Sequence, residues 1–341
     1  MELLKALVEN PCVTGFEKKN NLKIKYYLEN LCDSCYEDAL GNLFGSILCG
    51  KENAPKVMMC AHYDNIGLIV TEILQDGFVK IAPLGGIDER VLAGSEVILH
   101  GDKDIYGIIG LRPIHILTAE QTDKVEKIKN LVVDTGFKSD DLKEIIRVGT
   151  PVSFKPSFRV MANNISANFL DNKGGVYSLL RLAEHIDKSK MQADLVIMLS
   201  VSEELGRRGA SCGAERENPH MAITVDATFG NSPECQPYTT NKMGAGPVIC
   251  KGPTLNRFYT NQLINCAQFR EIPYQVEVES GDTGTDAFVI ETARNGIPSV
   301  LVSFPLKYMH TGIETVLKED IENLSQLLEE FLYNFQEVQY A

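Results

Sequence analysis

The sequence predicts an α/β fold in which a largely parallel sheet flanked by helices is interrupted by a small β-rich unit. Three observations predict it. Short apolar runs alternate with amphipathic helical stretches from about residue 159 onward. Closely spaced strands divided by Gly-rich turns occupy residues 66–158. The 341 residues, 44% of them apolar, suffice for about two domains with sizeable cores. The simplest parse is a larger domain built from residues 1–65 and 159–341, with the β-unit 66–158 inserted into it.

In chain order, Leu3, Leu4 and Leu7 mark a short amphipathic helix that breaks at Asn10-Pro11, and a second helix runs over 17–31. Residues 45–49 and 57–61 read as strands, the second delivering His62-Tyr63-Asp64 at its carboxyl end. In the insert, 67–70, 78–81, 96–99, 106–109 and 148–154 read as strands, with a charged, helix-compatible patch over 119–129 and Leu131-Val132-Val133 between them. A helix from Asn172 (Val176, Leu179, Leu180, Ala183, Ile186) precedes strands at 195–199 and 222–225. A helix from Asn261, a strand at 274–278, a helix from Asp286 and a strand at 299–302 follow. A long amphipathic helix (Leu317, Ile321, Leu324, Leu328, Phe331, Phe335) ends the chain.

Charge narrows the partners. The formal net charge is −13 and the pI about 5.0, with no block of Lys or Arg, which argues against nucleic acid and against an anionic membrane surface. No apolar run approaches the roughly 18 residues of a membrane span, and the first residues lack a basic-then-apolar leader, so a cytoplasmic protein is expected. The nine cysteines are scattered, and the lone Cys32-Asp33-Ser34-Cys35 has no second pair to complete a zinc knuckle, so reduced thiols are expected.

In open α/β sheets, ligands collect beyond the carboxyl ends of the strands. His62 and Asp64 follow the 57–61 run, Asp171 precedes the Asn172 helix, Glu203 and Glu204 follow 195–199, Asp226 follows 222–225, and His310 lies shortly after 299–302. Any one of these alone reads equally as a cap or a solvated strand end. Together they place two imidazoles and several carboxylates at one rim. Carboxylates at 4 Å repel by about 4 kcal/mol per pair at an effective dielectric near 20, so such a cluster calls for a cation. Imidazole and carboxylate without thiolate suit zinc, cobalt or manganese, and ligands from five segments suit a pair of ions bridged by one carboxylate. His100, His115, His185 and His220 read as structural or exposed.

The segments Ala61-His62-Tyr63-Asp64-Asn65-Ile66-Gly67, Leu170-Asp171-Asn172-Lys173, Ser202-Glu203-Glu204-Leu205-Gly206, Val225-Asp226, Gly284-Thr285-Asp286-Ala287 and Tyr308-Met309-His310-Thr311 carry a resemblance. In order and over nearly the whole chain, they resemble the dinuclear-metal aminopeptidases of metallopeptidase family 42, which assemble as tetrahedral (TET-type) particles. Members also go by the names glutamyl aminopeptidase and endoglucanase. The resemblance implies a zinc-peptidase-like sheet with a small barrel or PDZ-like insert for dimerisation and assembly, and a homo-oligomer, a dodecamer built from dimers. It implies two divalent ions per chain, zinc or cobalt, with manganese admitted. Asp171 would bridge them, His62 and Glu204 completing one site, Asp226 and His310 the other. Glu203 would be the general base for attack of a metal-activated water on an N-terminal peptide bond, and Asp64 would orient His62. Residues 281–286, among them Gly284, Thr285 and Asp286, would shape the substrate pocket, although Thr285 or Asp286 reads equally as a helix N-cap.

The chain departs from the family pattern at Asn65 (usually Glu), Lys173 (Arg), Ser202 (Gln) and Gly312 (commonly Pro). That leaves a member of altered activity, a deacylase, or a non-catalytic metal-binding assembly subunit as alternatives. Gly209-Ala210-Ser211-Cys212-Gly213 matches the serine-hydrolase G-x-S-x-G, but no apolar strand directly precedes it. A glycosidase would need two metal-free carboxylates across a sugar, and Trp, a common glycan platform, is absent.

Overall fold

The computed structural model describes residues 1–118 and 124–338. Among them, eleven strands form one sheet in the order Ser34–Glu37, Leu43–Ile47, Asp194–Ser200, Lys56–His62, Met221–Phe229, Ser299–Lys307, Glu314–Leu317, Asn164–Ala167, Phe158–Met161. Val248–Lys251 and Gln275–Val278 branch off beside Ser299–Lys307. The four central strands, from Asp194–Ser200 to Ser299–Lys307, run parallel. The branching pair Val248–Lys251 and Gln275–Val278 is also parallel, while both flanks of the sheet are antiparallel, so a parallel centre sits in a mixed sheet.

The centre follows from composition. Val57, Met58, Met59 and Cys60 are wholly buried, the continuous apolar run of a strand covered on both faces. Helices Glu2–Val8, Leu170–His185, Arg257–Phe269 and Lys318–Tyr333 cover one face around Tyr177, Leu180, Phe304, Leu324 and Phe331. Helix Arg208–Glu217 and the short Ala287–Ile290 cover the other over Phe44, Met58 and Met198. No helix among the described residues is long and apolar enough to cross a membrane.

The inserted unit is a closed barrel of six strands in the order Gly67–Ile73, Val79–Leu84, Val132–Asp134, Asp104–Gly110, Glu96–His100, Pro151–Phe154, with its own core of Leu68, Val70, Val97, Leu99, Ile109 and Val152. Strand Phe158–Met161 already belongs to the large sheet. Of the charged patch over 119–129, residues 119–123 lie outside the described residues, and Ile128–Asn130 is a 3-10 turn.

The expected helix over 17–31 divides into a 3-10 turn Glu17–Lys19 and an α-helix Leu22–Leu31. The cause is Glu17, whose buried carboxylate accepts hydrogen bonds from the Gly15 and Ser202 amides instead of facing solvent. Cys32 caps the end of helix Leu22–Leu31 and Cys35 lies on strand Ser34–Glu37. The G-x-S-x-G sequence lies on helix Arg208–Glu217 with Ser211 exposed, so it forms no nucleophile elbow.

The helix that begins at Leu170 meets the sheet where Gly174 faces Phe304; a methyl group there would stand 2.6 Å from Phe304 Cζ. Gly174→Ala is expected to lower stability by about 1–3 kcal/mol through overpacking, read as a fall in the urea midpoint. Adding Phe304→Leu should recover part of the loss, and a single variant as stable as wild type would disprove the close packing.

Candidate metal centre and cleft

Five chain segments converge at the carboxyl ends of the parallel strands. His62 ends its strand opposite Ser200, and the chain beyond Ser200 turns through Ser202 into Glu203 and Glu204. Asp226 lies on Met221–Phe229. Asp171 sits in the first turn of Leu170–His185, where the Asn172 side chain donates to the Val225 carbonyl at 2.8 Å and ties the helix start to the Asp226 strand. His310 follows Ser299–Lys307.

His62 Nε2 lies 3.2 Å from Asp171 Oδ1 and 3.5 Å from Asp226 Oδ1. His310 Nε2 lies 3.4 Å from Asp171 Oδ2 and 3.5 Å from Glu204 Oε2. Each triad offers one atom per residue, all within 4.8 Å of one another, and Asp171 turns one oxygen to each. The grouping differs from the one the family resemblance implied: His62 joins Asp226, and Glu204 joins His310. The reason is topological. Both neighbouring strands pair directly with the His62 strand, but Thr224 stands opposite Cys60, so Asp226 comes level with His62, whereas Glu204 lies on the loop four residues past Ser200, the residue opposite His62 on the other side.

Negative charge dominates the cluster. Burial drives the Glu203 carboxyl up to about 10, with Asp226, Asp286 and Glu204 adding to it and His62 opposing. Burial and Asp171 push Glu204 up to about 8. For Asp171, burial also favours the neutral acid, but hydrogen bonds from His310 and His62 outweigh it and hold the carboxyl below the ordinary carboxylate range. Burial disfavours a charged His310, yet Asp171 and Glu204 lift its imidazole to about 9. Among the described residues, no lysine or arginine lines the cleft. Imidazole and carboxylate donors converging on two points, with positive charge in deficit, fit a pair of divalent ions.

Two buried carboxylates hold the donor-bearing backbone. Asp64, wholly buried, accepts from the Glu203 amide at 3.1 Å and the Glu204 amide at 3.3 Å. Glu314, 2% exposed, accepts from the Asp171 amide at 2.9 Å and the His310 amide at 3.1 Å. Asp64 therefore positions the Glu203-Glu204 turn and does not reach the cleft. The ring of His62 is set by the Asp64 main chain, its Nδ1 lying 3.1 Å from that carbonyl oxygen, while the carboxylate stands 3.7 Å away. Glu314 escaped the sequence reading; its spacing four residues after His310 is the only signal, and that spacing is common.

The cleft, about 690 Å³, is lined by both histidines, Asp171, Asp226 and Glu203 together with Thr283, Gly284 and Thr285. Asp286 is not on its wall. At 1% exposure it lies beneath, accepting from Ser200 Oγ at 2.5 Å and from the Cys60 thiol at 3.4 Å, and burial pushes its carboxyl up to about 6. The barrel unit supplies none of the donors but closes one side of the site: a methyl group at Gly85 would stand 3.2 Å from Glu204 Oε2, and one at Gly86 3.0 Å from His310 Nδ1.

None of the four departures from the family pattern supplies or displaces a donor. Asn65 binds the Cys12 amide at 2.7 Å, and buried Lys173 donates to the Tyr63 carbonyl at 2.5 Å. Ser202 is held by Glu17, and the Gly312 carbonyl accepts from Asn168. Asp171→Asn is expected to weaken ion binding at both triads and His310→Ala at one, measured by elemental analysis after dialysis. Glu314→Ala should reduce affinity about 10–100-fold through loosened donors; full retention in Glu314→Ala would refute the clasp.

A family model described as M42 glutamyl aminopeptidase matches residues 41–327. The chain is 32% identical to the lysyl aminopeptidase of Pyrococcus furiosus over 97% of this chain and 96% of that one. In structure it is similar to an aminopeptidase from the archaeon Desulfurococcus kamchatkensis, with TM-score 0.91 and 29% identity over 98% of this chain and 94% of that one. It is also similar to the Pyrococcus horikoshii TET1 peptidase, which can assemble into a tetrahedron or a large octahedral shell, with TM-score 0.85 and 28% identity over 98% and 99%. A sequence match over most of the chain, on a fold that carries these donors at its strand ends, makes this chain a peptidase of the M42 glutamyl aminopeptidase family.

Proposed function

We propose that the chain is a dinuclear-metal aminopeptidase that releases N-terminal residues from peptides. The observation that carries the reading is the placement of Asp171, one carboxylate oxygen facing each triad, with Glu203 on the same cleft wall and in neither triad. His62, Asp171 and Asp226 would hold one divalent ion, and Asp171, Glu204 and His310 the other. Such a pair supplies Lewis acidity and lowers the pKa of a bound water toward neutrality.

The chain's own residues do the rest. Glu203 takes the proton of the attacking water and returns it to the departing amine. Its proton affinity, raised by burial and by three neighbouring carboxylates, suits a base, and positive charge at the triads tempers it toward neutral pH. Asp64 holds the Glu203 amide and so fixes the base relative to His62. The surplus of negative charge in the cleft favours a peptide whose free α-amino group is protonated.

Glu203→Gln is expected to keep wild-type ion content while kcat falls by about 10²–10⁴, the worth of a positioned general base. Glu204→Gln should lose ions first and recover activity in excess zinc, cobalt or manganese. The reverse pattern would exchange the two roles; wild-type turnover by both variants on aminoacyl p-nitroanilides would end the mechanism.

We also assign residues 1–65 and 159–341 to catalysis and the insert 66–158 to self-association into a homo-oligomer, a dodecamer by analogy with its relatives. Support comes from Tyr106 and Ile108, exposed at 42% and 44% on the outer face of a barrel strand. Light scattering should return an assembly well above the 37.8 kDa of one chain. A monomer at every concentration and ion load would refute it, as would survival of the assembly in Tyr106→Glu/Ile108→Glu.

A further inference from the structure

Away from the triads, the cleft runs along strand Gln275–Val278, where Glu277 lies in its wall. The Glu277 carboxylate is half-buried, and its Oε2 accepts from Thr228 Oγ1 at 2.9 Å and Asn241 Nδ2 at 2.8 Å. These two neutral donors fix the group without neutralising it. Glu279, two residues on along the same strand direction, adds a second negative charge to the wall. Lys251 and Arg257 line an adjacent cavity that shares only Val278 and Glu279 with the cleft. Glu277 is thus a held, partly desolvated carboxylate facing a cavity that offers it no cation. Burial accordingly pushes its carboxyl upward, Thr228 and Asn241 opposing and Glu279 assisting.

Its distance from the reacting end is set by one strand. Thr228 stands two residues past Asp226 on Met221–Phe229, on the same face, about 7 Å further along. A side chain leaving the scissile residue beside Asp226 reaches Glu277 across that span if it is long, unbranched and charged at its tip, as lysine and arginine are. A shorter apolar side chain would leave the carboxylate unmet, and an acidic one would face Glu277 and Glu279 across a cleft with no basic side chain.

We propose that Glu277, steadied by Thr228 and Asn241, is the specificity-determining residue of the cleft and that the preferred N-terminal residue carries a cationic side chain. This rests on the aminopeptidase reading above, deepens it, and runs against the glutamyl preference in the family's name.

The test compares lysyl with norleucyl p-nitroanilide, which share a four-carbon stem and differ in the ammonium group. Wild type should favour the lysyl substrate in kcat/KM by about tenfold or more, and Glu277→Gln should lower that preference about 10–100-fold, the worth of one charge-assisted hydrogen bond. Glu277→Lys should turn preference toward glutamyl p-nitroanilide. Calorimetric titration with lysinamide and norleucinamide reads the pocket apart from turnover, and the selectivity should fall in parallel. An unchanged lysyl-to-norleucyl ratio in Glu277→Gln overturns the proposal. So does an equal loss on every substrate, which would put Glu277 at the α-amino group. Wild type that binds lysinamide selectively yet hydrolyses none of the panel with both ions bound would instead remove the aminopeptidase reading.

Discussion

Buried negative charge at the ends of four parallel strands is the constraint on which the surrounding structure depends. Asp171, Asp226, Glu203 and Glu204 lie within one cluster with two imidazoles as the only cationic groups among them. At an effective dielectric near 20, each close carboxylate pair costs about 4 kcal/mol, a large part of the whole stability of a domain. A sequence that keeps such a cluster out of water needs a compensating charge, and the proposed pair of divalent ions would supply four. The same constraint accounts for a cleft wall without lysine or arginine among the described residues: a side-chain cation there would compete with a metal ion for the same oxygens.

The donors must also be held apart from one another, and the protein does this through the backbone. Asp64 and Glu314 each spread one carboxylate over two main-chain amides, one clasping Glu203 and Glu204, the other Asp171 and His310. Charge-assisted bonds of this kind are worth about 1.5–3 kcal/mol each. They act where the chain is bent: Ser202 and His310 adopt φ of 55° and 60°, and Phe169, two residues before Asp171, adopts 63°. Left-handed backbone costs a non-glycine residue about 1–2 kcal/mol, so the clasps offset the conformations that aim the donors. Both groups are buried, and for Glu314 burial and the nearby Asp171 push the carboxyl well above the ordinary carboxylate range.

Much of this was legible in the sequence, because apolar strands ending in His or acidic residues are a pattern that alternation makes visible. The order of segments, the insert and all five proposed donors could be read from it. What escaped has common physical causes. Val248–Lys251 and Glu314–Leu317 are four-residue strands, too short for periodicity to mark. The split of the 17–31 helix turns on Glu17 finding an amide partner 185 residues away. Which candidate donors group together depends on sheet order and register, and neither is encoded in local pattern: Met221–Phe229 sits beside Lys56–His62 with Thr224 opposite Cys60, so Asp226 meets His62. Asp286, which the resemblance put at the substrate pocket, lies below the wall, and its burial under Ser200 and Cys60 appears only in three dimensions.

The departures from the family pattern bear on the alternative of a decayed, purely structural member. Lys173 places its ammonium on the Tyr63 carbonyl and within 5.7 Å of the Tyr63 ring, so the positive charge that arginine would supply is kept next to the His62 strand end. Asn65, lacking the charge of glutamate, satisfies both the Cys12 amide and the Ile66 carbonyl and secures the segment before the first long helix. Ser202 and Gly312 act through main-chain contacts to Glu17 and Asn168. A site under decay loses donors before it loses the groups that aim them, since an aimed backbone without donors retains its cost and none of its use. Here the candidate donors, Glu203 and both clasps are all in place, and the substitutions fall on residues that brace the chain behind them.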